Sequence, residues 1–115
     1  MTRKAVVPRA LARADIEAAA EFYREDSGAA LALAFVDAVE PALNHVGQFP
    51  ASGSPRIGVD LDLPDLRCWP VKRFPYLVFY IEHPDHVDVW RGLHERSDVP
   101  AWLRPSEGAQ DMGMR

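Results

Sequence analysis

The chain opens on a short apolar run and then changes period. Ala5, Val6 and Val7 predict a strand over residues 2–8, closed by Pro8, which has no N–H to give to a sheet ladder. From residue 10 to 26 the apolar positions Ile16, Ala19, Ala20 and Tyr23 recur at three- and four-residue steps, which sets them on one helical face. Ser27-Gly28 ends that helix, because glycine enters the left-handed C-cap conformation without a Cβ penalty. A second helix is predicted over 29–46. Leu31, Phe35, Ala38, Ala42 and Val46 form its stripe, widened by Val36, Val39 and Leu43. Pro41 lies inside it, removes one backbone bond and predicts a kink. The brief Ser-Gly link makes the two helices an antiparallel hairpin.

Residues 48–64 are punctuated by Pro50, Gly53, Pro55, Gly58 and Pro64 and read as a loop. Beyond them the period becomes two. Strands are predicted over 66–71, 76–82 and 87–94, with Tyr-Leu-Val-Phe-Tyr-Ile-Glu at 76–82 giving the clearest signal. His83-Pro84-Asp85-His86 is a tight turn. Residues 99–103 form a short helical or extended piece, and 105–115 have little reason to be ordered. Three sequential strands joined by short turns predict an antiparallel sheet. The expected fold is therefore α+β and two-layered. An N-terminal strand and a helical hairpin pack on one face of the sheet in the order β-α-α-β-β-β, with one domain over 1–104 and a disordered tail over 105–115.

Composition narrows the chemistry. A chain of 115 residues that is 48% hydrophobic and 26% charged suits one soluble globular domain. Cys68 is alone, which excludes an internal disulfide and a cysteine-rich metal site, and the expected role is a small core residue. No apolar run approaches the roughly 18 residues of a membrane span, and the start Met-Thr-Arg-Lys-Ala-Val-Val is not a secretory signal. The cytoplasm is the expected location. No glycine-rich phosphate loop occurs, so no cofactor is expected. His83 and His86 flank a turn with Asp85 and lack the further ligands a metal needs, so no metal is expected either. The carboxylate pairs Asp60/Asp62 and Asp85/Asp88 lack apolar neighbours that would raise a pKa, and read as solvated surface.

The last third carries more. On residues 87–94, Val87, Val89, Arg91 and Leu93 alternate with Asp88, Trp90, Gly92 and His94. With the valines and Leu93 turned to the helices, Trp90 and His94 fall on an open sheet face. Arg67 and Trp69 join them from the preceding edge strand, opposite Leu66 and Cys68. The competing reading makes these aromatics core, with the faces slipped by one residue.

The order of motifs resembles the RelE/ParE superfamily of toxins from type II toxin–antitoxin systems. The matching residues are Asp15-Ile16 with Tyr23, then Phe49-Pro50 with Gly53 and Arg56, then Leu66-Arg67. They continue with Phe74-Pro75-Tyr76-Leu77-Val78-Phe79-Tyr80 and Leu93-His94-Glu95-Arg96-Ser97-Asp98-Val99-Pro100. They run over residues 4–104. The ParE branch, associated with plasmid stabilisation, looks nearest, although Ser97 stands between Arg96 and Asp98 where that branch has the two adjacent.

The resemblance implies one of two mechanisms, or else a toxin-like module with another target or with weakened toxicity. ParE-like members bind DNA gyrase and trap cleaved DNA without chemistry of their own. Target-binding residues are then expected at Arg67, Trp69, Trp90, His94 and Arg96. RelE-like members are ribosome-dependent endoribonucleases, in which Arg67 would stabilise phosphate and His94 would act as acid or base. Charge separates the two. The net charge is −4, lysines are confined to Lys4 and Lys72, and residues 56–104 hold seven basic against eight acidic side chains. Strong direct nucleic-acid binding is not expected from that balance. The protein-directed reading is favoured, and an enzyme remains the alternative. Either way the resemblance implies a cognate antitoxin in a hetero-oligomer, with Phe22, Leu33, Trp69 and Trp102 as its expected apolar contacts.

Overall fold

A computed structural model describes residues 3–97 and 99–103, with the side chains of Pro100 and Trp102 excepted. The expected tail over 105–115 lies outside the described residues. The elements are β1 (Ala5–Pro8), α1 (Ala10–Ser27), α2 (Ala29–Gln48), a 3-10 turn (Pro50–Ser52), α3 (Arg56–Asp60), β2 (Leu66–Pro70), β3 (Tyr76–Glu82), β4 (His86–His94) and α4 (Val99–Leu103). The α+β order β-α-α-β-β-β is the one the hydrophobic periods predict.

Gly28 joins the helices at φ 102°, and its N–H donates to the carbonyls of Tyr23 and Arg24. A side chain at that φ would be strained, which is why the chain turns at this glycine. The hairpin lies over one sheet face. Ala12 and Ala19 of α1 and Phe35, Val39, Ala42 and Val46 of α2 are buried there with Val78, Tyr80, Val87 and Val89. Full burial of side chains the size of Phe35 or Val46 stabilises by about 1.5–3 kcal/mol each. Tyr23, Phe35, Phe74 and Tyr76 meet edge to face or tilted at 5.1–6.3 Å, closing the end of this core. The stripe on α2 is rotated from the expected one. Ala32 is buried, while Leu31 and Val36 are exposed. By length and composition α2 could cross a membrane, but here Phe35, Val39 and Val46 are the inner side of the domain.

The strand order is β1-β4-β3-β2. β2, β3 and β4 are antiparallel as expected, but β1 lies parallel to β4, so the sheet is mixed rather than antiparallel. The helical hairpin is the crossover that a parallel pair requires. The second sheet face is not open. Leu66, Cys68, Phe79 and Leu93 are buried on it beneath Val99 and Leu103 of α4, with Ile57 of α3 packed alongside. The segment 48–64, expected as loop, thus contributes a short helix to a second core.

β4 also breaks its own alternation. Tyr80 pairs with Val89 and Phe79 with Arg91, leaving Trp90 as a bulge. Beyond the bulge the faces exchange. Leu93 joins the second core, while His94 comes opposite Tyr76 on the hairpin side.

Candidate functional site

The expected face of Arg67, Trp69, Trp90 and His94 does not exist as one surface. Arg67 and Trp69 pair with Tyr80 and Val78, whose side chains belong to the hairpin-side core. His94 joins that side because of the bulge, and Trp90 packs alone against the second core. Arg96 is exposed in the turn after β4. His94, Trp69 and Trp90 fall in three separate neighbourhoods, and Arg67 lies outside all three.

The first is a cleft of about 330 Å³ between α1 and the end of β4, lined by Asp15, Phe22, Tyr76, Arg91, His94 and Ser97. Arg91 points from β4 to α1, where its Nε and Nη2 each donate to Asp15 at 2.7 Å. The Gly92 amide adds a third bond to the same carboxylate at 3.0 Å. Hydrogen bonding to Asp15 raises the Arg91 pKa above its ordinary value, against the lowering effect of burial. His94 stands edge-on to Tyr76 at 5.1 Å, and its Nδ1 accepts the Arg96 amide at 3.0 Å. A neutral His94 therefore carries its proton on Nε2. Burial, with a smaller contribution from Tyr23, raises the Tyr76 pKa and keeps its phenol protonated.

The second is a groove of about 840 Å³ between α2 and the β2–β3 turn. Trp69 stacks on His45 of α2 at 3.8 Å and 14°. The Ser52 hydroxyl donates to the Phe49 carbonyl, so His45 Nε2 is the donor to Ser52 at 2.9 Å. Lys72, Arg73 and Phe74 form the turn wall of this groove.

The third lies on the opposite sheet face, where the Arg9 guanidinium sits 4.7 Å over the Trp90 ring. Arg9 also donates to both Asp88 oxygens at 3.0 and 2.9 Å, and Trp90 Nε1 donates to Asp88 at 3.2 Å. The Arg9 bonds hold the Asp88 carboxyl below the usual range, against its partial burial.

Arg67 and His94 are not brought together. Arg67 pairs across from Tyr80 and His94 from Tyr76, on opposite sides of β3. Four residues of strand is about 13 Å and two strand spacings about 10 Å, so their backbones are roughly 16 Å apart. The Arg67 guanidinium donates to the Gly53 carbonyl at 2.8 Å. Cys68 is buried, and burial raises its thiol pKa, which leaves it a poor nucleophile. Among the described residues no three His, Cys, Asp or Glu side chains gather to hold a metal ion.

The apolar residues expected to meet an antitoxin are likewise scattered. Phe22 lines the α1–β4 cleft and is 57% exposed, Leu33 is 63% exposed on α2, and Trp69 lines the groove. The Trp102 side chain lies outside the described residues. Sequence reasoning gave no role to Arg91 or Asp15. A charge among Val87, Val89 and Leu93 was the available signal, since a charge in a core strand requires a partner.

The chain matches the family model for the ParE toxin of the type II toxin–antitoxin system parDE over residues 6–99. A solved structure of the chromosomal ParDE TA system from P. aeruginosa superposes with a TM-score of 0.68 at 18% identity. It covers 80% of this chain and 96% of the other. At that identity the likeness is one of fold. No curated protein matches the chain in sequence. The family match spans most of the domain built by β1 to α4, and the chain belongs to the ParE family of type II toxins.

Proposed function

We propose that this toxin acts in the cytoplasm by binding DNA gyrase and trapping cleaved DNA, and that a cognate antitoxin neutralises it. The family match supports the toxin role. The observation that carries the choice of mechanism is the separation of Arg67 from His94. An RNA-cutting site needs its acid or base and its phosphate-stabilising cation around one scissile bond, because negative charge concentrates there in the transition state. Here strand β3 lies between them, and Arg67 is engaged with the Gly53 carbonyl. The near-neutral sheet region adds no cation cluster in compensation.

A protein-directed toxin needs exposed anchors instead. Arginine and tryptophan are the residue types that most often supply binding energy at interfaces. Arg9 stacked on Trp90 and oriented by Asp88 is such an anchor. The test is a supercoiling assay with purified gyrase. Added toxin should stop supercoiling and accumulate cleaved DNA, while messenger RNA in a reconstituted translation mixture stays intact. Undiminished supercoiling at stoichiometric excess, or cut transcripts, would overturn the reading.

A further inference from the structure

Two turns lie side by side at the end of the sheet where β3 begins and β4 ends. In the first, Phe74 donates to the Val71 carbonyl at 3.2 Å and Val71 to the Tyr76 carbonyl at 2.9 Å, which puts Lys72 and Arg73 at the tip. In the second, Ser97 donates to the His94 carbonyl at 2.9 Å, with Glu95 and Arg96 between them. The Glu95 amide donates to the Pro75 carbonyl at 2.8 Å and so joins the two turns. Arg73 is two residues from Pro75, and Arg96 follows Glu95. The backbones of Arg73 and Arg96 are therefore no more than about 18 Å apart.

Lys72, Arg73 and Arg96 are all exposed. Among the described residues no ion pair engages any of them. They are three of the seven basic side chains of residues 56–104, and on these turns only Glu95 opposes them. Arg73 stands at φ 74°, in the left-handed region that glycine enters freely and asparagine more readily than arginine. A turn shaped by the fold alone would favour one of those residues. An arginine held there at a conformational cost, with no ion pair in the domain, keeps its charge for something outside it.

We propose that these two turns contact the phosphate backbone of the DNA that gyrase holds. Lys72, Arg73 and Arg96 each take a phosphate, which positions the duplex without chemistry and without reading its sequence. A stretch of duplex 18 Å long carries about ten phosphates, so each cation has a partner within reach. On a chain of net charge −4, three cations do not hold DNA from solution. The contact forms when bound gyrase presents the duplex at high local concentration. The inference rests on the gyrase reading above and adds the surface that meets the DNA.

The test measures the affinity of immobilised gyrase for the purified toxin, with and without a linear duplex, over a salt series. Wild type should bind at least about tenfold more tightly when the duplex is present. That gain should fall as salt rises, with a logarithmic slope of about −3, near 0.9 for each of three phosphates. Lys72→Glu/Arg73→Glu should abolish the gain and leave affinity without DNA unchanged. Arg73→Gly relieves the left-handed residue and should melt no earlier than wild type, yet make the slope shallower by about one. Arg56→Glu, exposed on α3 over the second core, should keep the full gain. A wild-type gain that is absent or indifferent to salt overturns the proposal, as does a full gain in the double variant or a full slope in Arg73→Gly. Equal weakening of the double variant without DNA assigns the turns to an acidic surface of gyrase and overturns it too. Loss of the gain in Arg56→Glu assigns the effect to overall charge, with the same consequence. Failure of wild type to bind gyrase in either condition overturns the gyrase reading itself, an outcome distinct from a missing DNA-dependent gain.

Discussion

Asp15 on α1 holds Arg91 on β4 through two bonds of 2.7 Å, 76 positions apart along the chain. Both side chains are largely buried, and Asp15 also takes the Gly92 amide just past the Trp90 bulge. The pair therefore fixes α1 to the one place where β4 exchanges its faces. Charge-assisted hydrogen bonds of this kind each contribute about 1.5–3 kcal/mol. Asp15→Asn keeps the shape and removes the charge, and should cost about 2 kcal/mol in urea unfolding. Arg91→Met with Asp15→Leu, an apolar pair of similar bulk, should recover much of that loss. A single variant as stable as wild type would show that the pair does not hold the helix.

How far the sequence revealed this fold follows from the same bulge. Strand β3 was legible because every residue from Tyr76 to Ile81 favours a pleated, buried ribbon, and α1 and α2 because their apolar periods are helical. Val87 and Val89 were placed on the correct face. Leu93 and His94 were not, because one extra residue at Trp90 reverses every later position and leaves no compositional mark. Arg67 and Trp69 were paired with the wrong face because Leu66 and Cys68 were expected opposite an open surface, whereas α3 and α4 cover a second core there. The parallel placement of β1 was hidden because a four-residue strand carries no signal of direction. Stacking of His45 on Trp69 joins residues 24 positions apart and could not be read from local pattern.

Tyr80 ties the middle of the sheet to the segment after α2. Its hydroxyl donates to the Pro50 carbonyl at 2.7 Å and accepts the Gly53 amide at 3.0 Å. Burial raises its pKa, so the phenol remains a donor through the physiological range. Tyr80→Phe leaves both backbone groups short of a partner and should cost about 2 kcal/mol. For a domain of this size the melting temperature should fall by roughly 8 °C. Gly53→Ala should be at least as damaging, because its Cβ would collide with the Tyr80 hydroxyl. Differential scanning calorimetry of the two variants measures both.

Acid should weaken the domain partly through Asp88. Its folded pKa lies below the ordinary carboxylate value, first because of the Arg9 bonds. Between the folded and unfolded pKa the unfolded chain binds more protons, so stability rises with pH in that window. The contribution is present above about pH 4 and is lost as pH falls through the folded value. Asp88→Asn should therefore be less stable than wild type at pH 7, and the two should converge as the pH drops. Urea midpoints taken from pH 7 to pH 2 test this. A gap that stays constant with pH would assign the effect to packing instead.

Pro41 should be the position where α2 is most readily strengthened. It is exposed, lies inside a helix assigned without interruption from Ala29 to Gln48, and leaves the Asp37 carbonyl without its usual donor. A proline in a helix interior costs about 3 kcal/mol, of which its rigidity in the unfolded chain returns up to about 1 kcal/mol. Pro41→Ala should accordingly stabilise the domain by about 2 kcal/mol, seen as a later urea midpoint with an unchanged slope. An unchanged midpoint would show that packing of the hairpin, not this backbone bond, limits the stability of α2.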